Sequence, residues 1–138
     1  MKNLGKDCNC LPSHNPGATL TATSTGEIVS IAGIYGTGLV IAHMGAVAAA
    51  DATNYFTFSL TESATTGGSY TANTTLAGVG GADLLINSTA EANTVKLMTF
   101  TPSRTKDWVK VVATETGTAS AIISSEVMFE VSKKPANT

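Results

Sequence analysis

The hydrophobic pattern is clearest between residues 54 and 62. Phe56, Phe58 and Leu60 share one parity, while Tyr55, Thr57, Ser59 and Thr61 share the other. A period of two with β-branched and aromatic residues predicts a half-buried strand. Residues 108–116 repeat the pattern, with Val109, Val111 and Ala113 on one face. The last strand is the longest, carrying Ala121, Ile123, Val127, Phe129 and Val131 on one face and Glu126 and Glu130 on the other. Two further runs are apolar on both faces. Residues 39–44 (LVIAHM) read as a core strand, and residues 94–101 place Val95 and Leu97 opposite Met98 and Phe100. Shorter candidates lie at 27–31, 70–76 and 84–86, and the hydroxyl-rich stretch 19–26 reads as a linker or polar edge strand.

Glycine-containing turns at 66–69, at 78–81 and around Gly117 separate these runs. Residues 46–52 are Ala-rich and read as a loop with at most one helical turn, too short for an independent helix. About seven or eight short strands with turns every eight to twelve residues predict an all-β protein. The expected architecture is an antiparallel β-sandwich, jelly-roll or Ig-like, with an extended N-terminal arm. Its expected divisions are the arm at 1–17, the sandwich at 18–132 and a polar tail at 133–138.

The first 17 residues carry two prolines and no periodicity. Leu4, Leu11, Pro12, His14 and Pro16 mark this arm as a segment to lie across a partner. Its deletion is expected to leave the fold intact and to weaken assembly.

Composition narrows the function. The 138 residues hold 8 Lys+Arg against 10 Asp+Glu, a net charge of −2, with 13% charged residues where about 25% is ordinary. The chain counts 22 Thr, 12 Ser and 19 Ala, so its surface is neutral and hydroxyl-rich. A single Arg gives no cationic footprint for nucleic acid. No apolar run approaches the ~18 residues of a membrane span. The opening residues lack the apolar core of a secretory signal.

Candidate chemistry is sparse. Cys8, Cys10 and His14 are zinc-type donors, but Cys-x-Cys with no second pair falls short of structural zinc spacing, so no metal or other cofactor is expected. His43 sits inside an apolar run, where core or interface is the expected place. No Gly-x-Ser-x-Gly elbow, phosphate-binding loop or EF-hand is present, and most carboxylates fall at strand ends or on polar faces. Catalysis is not expected. Exposed aromatics (Tyr35, Tyr55, Tyr70 and Trp108) leave open a carbohydrate-binding module.

Two local texts carry a resemblance. One is YFTFSLTES at 55–63, with a Gly-containing turn and Tyr70 after it. The other is WVKVVATETGTA at 108–119. Together they resemble small β-rich virion proteins of tailed bacteriophages, several of which are auxiliary capsid (cement or decoration) proteins. In those, a strand ending in Glu-Ser precedes a turn and a late strand ends in Thr-x-Gly-Thr. The similarity spans about residues 27–131. The late strand of that group often reads Tyr-Val-Arg, where this chain has Trp108-Val109-Lys110. The resemblance implies a protein made in the host cytoplasm and placed on the capsid surface. Its expected partners are the major capsid protein and neighbouring copies of itself, with no nucleic acid and no membrane. A head–tail or tail role in the same particle is the alternative within that resemblance.

Overall fold

The structure is a computed structural model that describes residues 8–15, 17–32 and 36–130. Twelve strands follow in chain order among them. They are β1 (Cys8–His14), β2 (Thr19–Leu20), β3 (Ser24–Thr25), β4 (Val29–Ser30), β5 (Gly38–Ala48), β6 (Tyr55–Ser63), β7 (Thr71–Ala72), β8 (Ala77–Gly78), β9 (Leu85–Ile86), β10 (Val95–Phe100), β11 (Trp108–Thr116) and β12 (Ser120–Glu130). Six are long, and six have only two residues, so the expected seven or eight strands become six principal strands with short satellites.

Two antiparallel sheets pack face to face. The first has the order β1-β12-β5-β10-β8, with β2 also on β12. The second has the order β3-β11-β6-β7, with β4 on β11 and β9 on β6. Inward parities fill the space between them. Val40, Ala42 and Met44 of β5, Met98 and Phe100 of β10, and Ile123, Val127 and Phe129 of β12 meet Phe56, Phe58, Leu60, Val109 and Val111. Phe56 and Phe58 are at most 1% exposed. Burial of that kind contributes about 1.5–3 kcal/mol per side chain. Gly38 completes the layer, because a Cβ there would overlap the Phe100 ring.

Both sheets share one folded ribbon. β5 pairs with β12 in the first sheet, from Gly38↔Phe129 to Ala48↔Ser120. β6 pairs with β11 in the second, from Tyr55↔Thr116 to Ser63↔Trp108. The ribbon turns the sandwich corner at residues 49–54 and 117–119. There Ala49 (φ 53°) and Gly117 (φ 78°) adopt positive φ. Asn54 ties the two corner segments together, its Oδ1 accepting from the Thr118 N–H (2.9 Å) and hydroxyl (3.1 Å). Four donors converge on the Asp51 carboxylate beside it, led by the Thr53 N–H, and they hold its pKa down at about 2.

Several expectations are corrected. Residues 46–48 extend β5 instead of forming a loop, and Ala49's positive φ precludes a helical turn after them. Alanine carries little strand preference, so pairing with β12 decides the matter. The expected returning strand at 70–76 shrinks to β7, which pairs only with Thr61 and Glu62.

The arm is the larger correction. Residues 8–14 are extended as expected, but they form β1 against the chain's own β12, from Cys8↔Glu130 to His14↔Ser125. Ser13 is 1% exposed and receives the Val111 N–H from the opposite sheet (3.3 Å), so the segment fastens the sandwich together. Pro12 is accommodated because β1 is an edge strand and a bulge follows at once.

Candidate interaction surface

The bulge between Pro12 and His14 decides the fate of the predicted arm residues. It turns the chain over, so Cys10 faces out while His14 faces in. The His14 ring is 7% exposed. Its Nε2 faces the Ser24 carbonyl (3.4 Å) and its Nδ1 the Ser125 oxygen (2.8 Å). A carbonyl only accepts, so Nε2 carries the proton and the Ser125 hydroxyl donates to Nδ1. Burial of the ring pushes its pKa below 6.5.

On the other face the Cys10 thiol donates to Glu126 Oε2 (3.0 Å). Partial burial, that hydrogen bond and the carboxylate's charge raise the thiol to about 11, so it is a poor nucleophile and a poor metal ligand near neutrality. Cys10 and His14 therefore lie on opposite sides of a sheet and cannot share one ion. Among the described residues no group of three or more His, Cys, Asp or Glu side chains is placed to hold a metal. His14 is likewise lost as a partner contact, being inside. Leu11 (37% exposed) and Pro12 remain accessible on β1. Leu4, Pro16 and the Cys8 side chain lie outside the described residues.

The outward faces of the two sheets differ in chemistry. On the second sheet the cross-strand pairs are Tyr55–Thr116, Thr57–Thr114, Ser59–Val112 and Thr61–Lys110, a surface dominated by hydroxyls. On the first sheet the registers align three rows. Thr99, Leu39, Met128 and Cys10 form one; Leu97, Ile41, Glu126 and Pro12 the next; Val95, His43 and Ser124 the third. Val95 is 50% exposed and Leu97 41%. Glu126 is the single ordinarily charged group in these rows. His43 is thus exposed on the apolar outer face and absent from the core. The double-sided apolar runs 39–44 and 94–101 now divide: one side fills the core, and the other builds this face.

Elsewhere, among the described residues, one carboxylate residue is buried that sequence reading misplaced. Glu62 is 4% exposed. It accepts from Asn73 Nδ2 (3.0 Å), the Ser103 N–H (3.2 Å) and the Ser103 hydroxyl, clasping two loops to the end of β6. Its parity matches Phe56, Phe58 and Leu60, the signal that could have placed it inside. All its partners are structural donors, so it anchors loops.

The aromatics do not assemble into a sugar platform. Tyr55 and Trp108 sit at opposite ends of the β6–β11 ladder, eight residues or about 27 Å apart. The Tyr70 ring is covered by Lys110 Nζ, 4.1 Å from its centroid. Tyr35 lies outside the described residues. No described helix is long and apolar enough to cross a membrane.

No protein-family model, no curated protein and no solved structure matches this chain.

Proposed function

We propose that the chain is a non-catalytic structural protein of a virus particle, a cement or decoration protein that docks on a shell of major capsid protein. The outward apolar face of the first sheet is the observation that carries this reading; the sequence resemblance supplies the setting. Leu39, Ile41, Val95, Leu97 and Met128 meet there with one carboxylate, so few charged groups need desolvation on docking. The face spans four strands and five residues, about 19 by 17 Å or roughly 300 Å². One partner in a standard interface buries about 800 Å². A single copy would therefore bind weakly, and strength would come from many copies on a repeating lattice. The folded ribbon of β5–β6 against β12–β11 supports a jelly-roll type of sandwich within this reading.

Co-sedimentation with purified shells tests the proposal. The wild-type chain should pellet with shells at a copy number in the hundreds, and Ile41→Lys or Leu97→Lys should remain in the supernatant while keeping the wild-type circular dichroism spectrum. Failure of the wild-type chain to pellet, or equal pelleting of the lysine variants, would overturn it. Recovery at a multiple of six or twelve per particle would move the protein to the neck or tail.

A further inference from the structure

The apolar outer face of the first sheet carries one imidazole within it. His43 is exposed and stands in a row between Val95 of β10 and Ser124 of β12. Ile41 precedes it on the same face of β5, and Leu97, opposite Ile41, lies on the diagonal. On the far side Gly45 approaches Ile122 so closely that a Cβ at Gly45 would stand 3.1 Å from the Ile122 Cβ. A partner that covers Ile41, Val95 and Leu97 therefore covers the His43 ring as well.

The charged groups around that ring are all engaged elsewhere. Glu126 of β12 holds the other diagonal position, about 7–8 Å away between Cα atoms. Its carboxylate leans the opposite way. Oε2 accepts from the Cys10 thiol (3.0 Å) on β1, and β1 and β5 lie on opposite sides of β12. The Cys10 thiol itself, raised to about 11 by partial burial and by Glu126, stays neutral. On β10, Lys96 has the opposite parity to Val95 and Leu97. Its ammonium is held by Asp83 (2.8 Å) and by Glu91 (2.7 Å) of the turn at residues 89–91 that packs on β5. Among the described residues no carboxylate is paired with His43.

We infer that His43 makes docking of this face depend on pH: the shell covers the neutral ring, and the protonated ring keeps the shell off. The inference rests on the docking reading above. A neutral imidazole offers one donor and one acceptor, which main-chain groups of a partner can satisfy. An imidazolium carries a full charge into an apolar contact, and that cost is met only by a partner carboxylate or by water. Glu126, turned toward β1, supplies neither. Histidine gains its charge between about pH 8 and pH 5. The docked state holds fewer protons than the free state, so docking is complete above the titration of the ring and is lost as pH falls through it. Many weak contacts act together on a shell, so a modest loss per copy releases the whole layer.

Co-sedimentation with purified shells at about pH 7.5 and about pH 5.5 provides the test. The wild-type chain should pellet at the higher pH and fall by at least about tenfold at the lower. His43→Gln and His43→Leu, which cannot be protonated, should pellet nearly alike at both. His14 remains in these variants, so its own effect on stability is common to every arm, and circular dichroism at the lower pH confirms that each chain is folded. Equal pelleting of the wild-type chain at both pH values overturns the switch while leaving the docking reading intact. A loss at low pH that persists undiminished in both variants also overturns it, since another group then carries the effect. A wild-type chain that fails to pellet at the higher pH overturns the docking reading and the switch with it.

Discussion

Replacing Gly117 with alanine probes the corner where the ribbon passes from one sheet to the other. The backbone there has φ 78°, a region costing an L-residue about 1 kcal/mol. The added Cβ would overlap Asn54 Oδ1 and stand 2.8 Å from the Thr53 carbonyl oxygen. Asn54 must then swing away. It would forfeit its acceptance from the Thr118 N–H and hydroxyl and its two Nδ2 contacts with Asp51. These bonds are exposed, so each is worth about 0.5 kcal/mol, the low end of the usual range. Strain and lost bonds together destabilise by about 2–3 kcal/mol. Asn54→Ala removes the bonds without the strain and should cost about 1–2 kcal/mol. Urea titration followed by tryptophan fluorescence measures both, with the m-value unchanged if only the native corner is affected. A Gly117→Ala midpoint within 0.5 kcal/mol of wild type would refute the argument, because it would mean that the corner relaxes freely and does not constrain the ribbon.

His14 gives a pH dependence. Its folded pKa lies below 6.5, so the unfolded chain binds more protons in that window and stability falls as pH drops below 6.5. Urea midpoints between pH 7 and pH 5 should decline in wild type and decline less in His14→Gln; parallel curves would contradict the buried neutral ring. Glu62→Ala takes away the acceptor of the buried Asn73 Nδ2 and of the Ser103 N–H and should cost about 1–3 kcal/mol, with Glu62→Gln milder. Deleting residues 1–16 removes β1 and its six paired positions on β12, a loss of about 3–6 kcal/mol from several net hydrogen bonds. A truncated chain with wild-type thermal stability would show β1 to be dispensable.

The strands that read most clearly are those with one wet side. In β6 and β11 the phenylalanines and valines alternate with threonines and serines, so periodicity alone assigned the faces of Phe56, Phe58, Val109 and Val111. β10 was legible as a strand, but not in its consequences. With Val95 and Leu97 as apolar as Met98 and Phe100, pattern could not tell the core side from the exposed one; register with β5 does. β1 was illegible because its stability comes from β12, more than a hundred residues away, and because Pro12 and the bulge break any period. The two-residue strands β7 and β9 fall inside the candidate runs 70–76 and 84–86, but their extent is set by pairing with β6, which pattern does not carry. The apolar outer face was likewise hidden, since its rows run across strands and exist only after pairing.

The place of β12 between β1 and β5 bears on how the protein is made. Cys10 and Glu126, which meet across the ladder, are 116 residues apart in the chain. During synthesis β5 can pair with β10 as residues 95–100 emerge, but β1 and the other edge of β5 must wait until residues 120–130 follow. The nascent chain therefore cannot assemble the first sheet stepwise from its N-terminal side. Closure is one late event, slow as expected for sheets of distant pairings. Until then the unpaired edge of β5 stands open to neighbouring nascent chains.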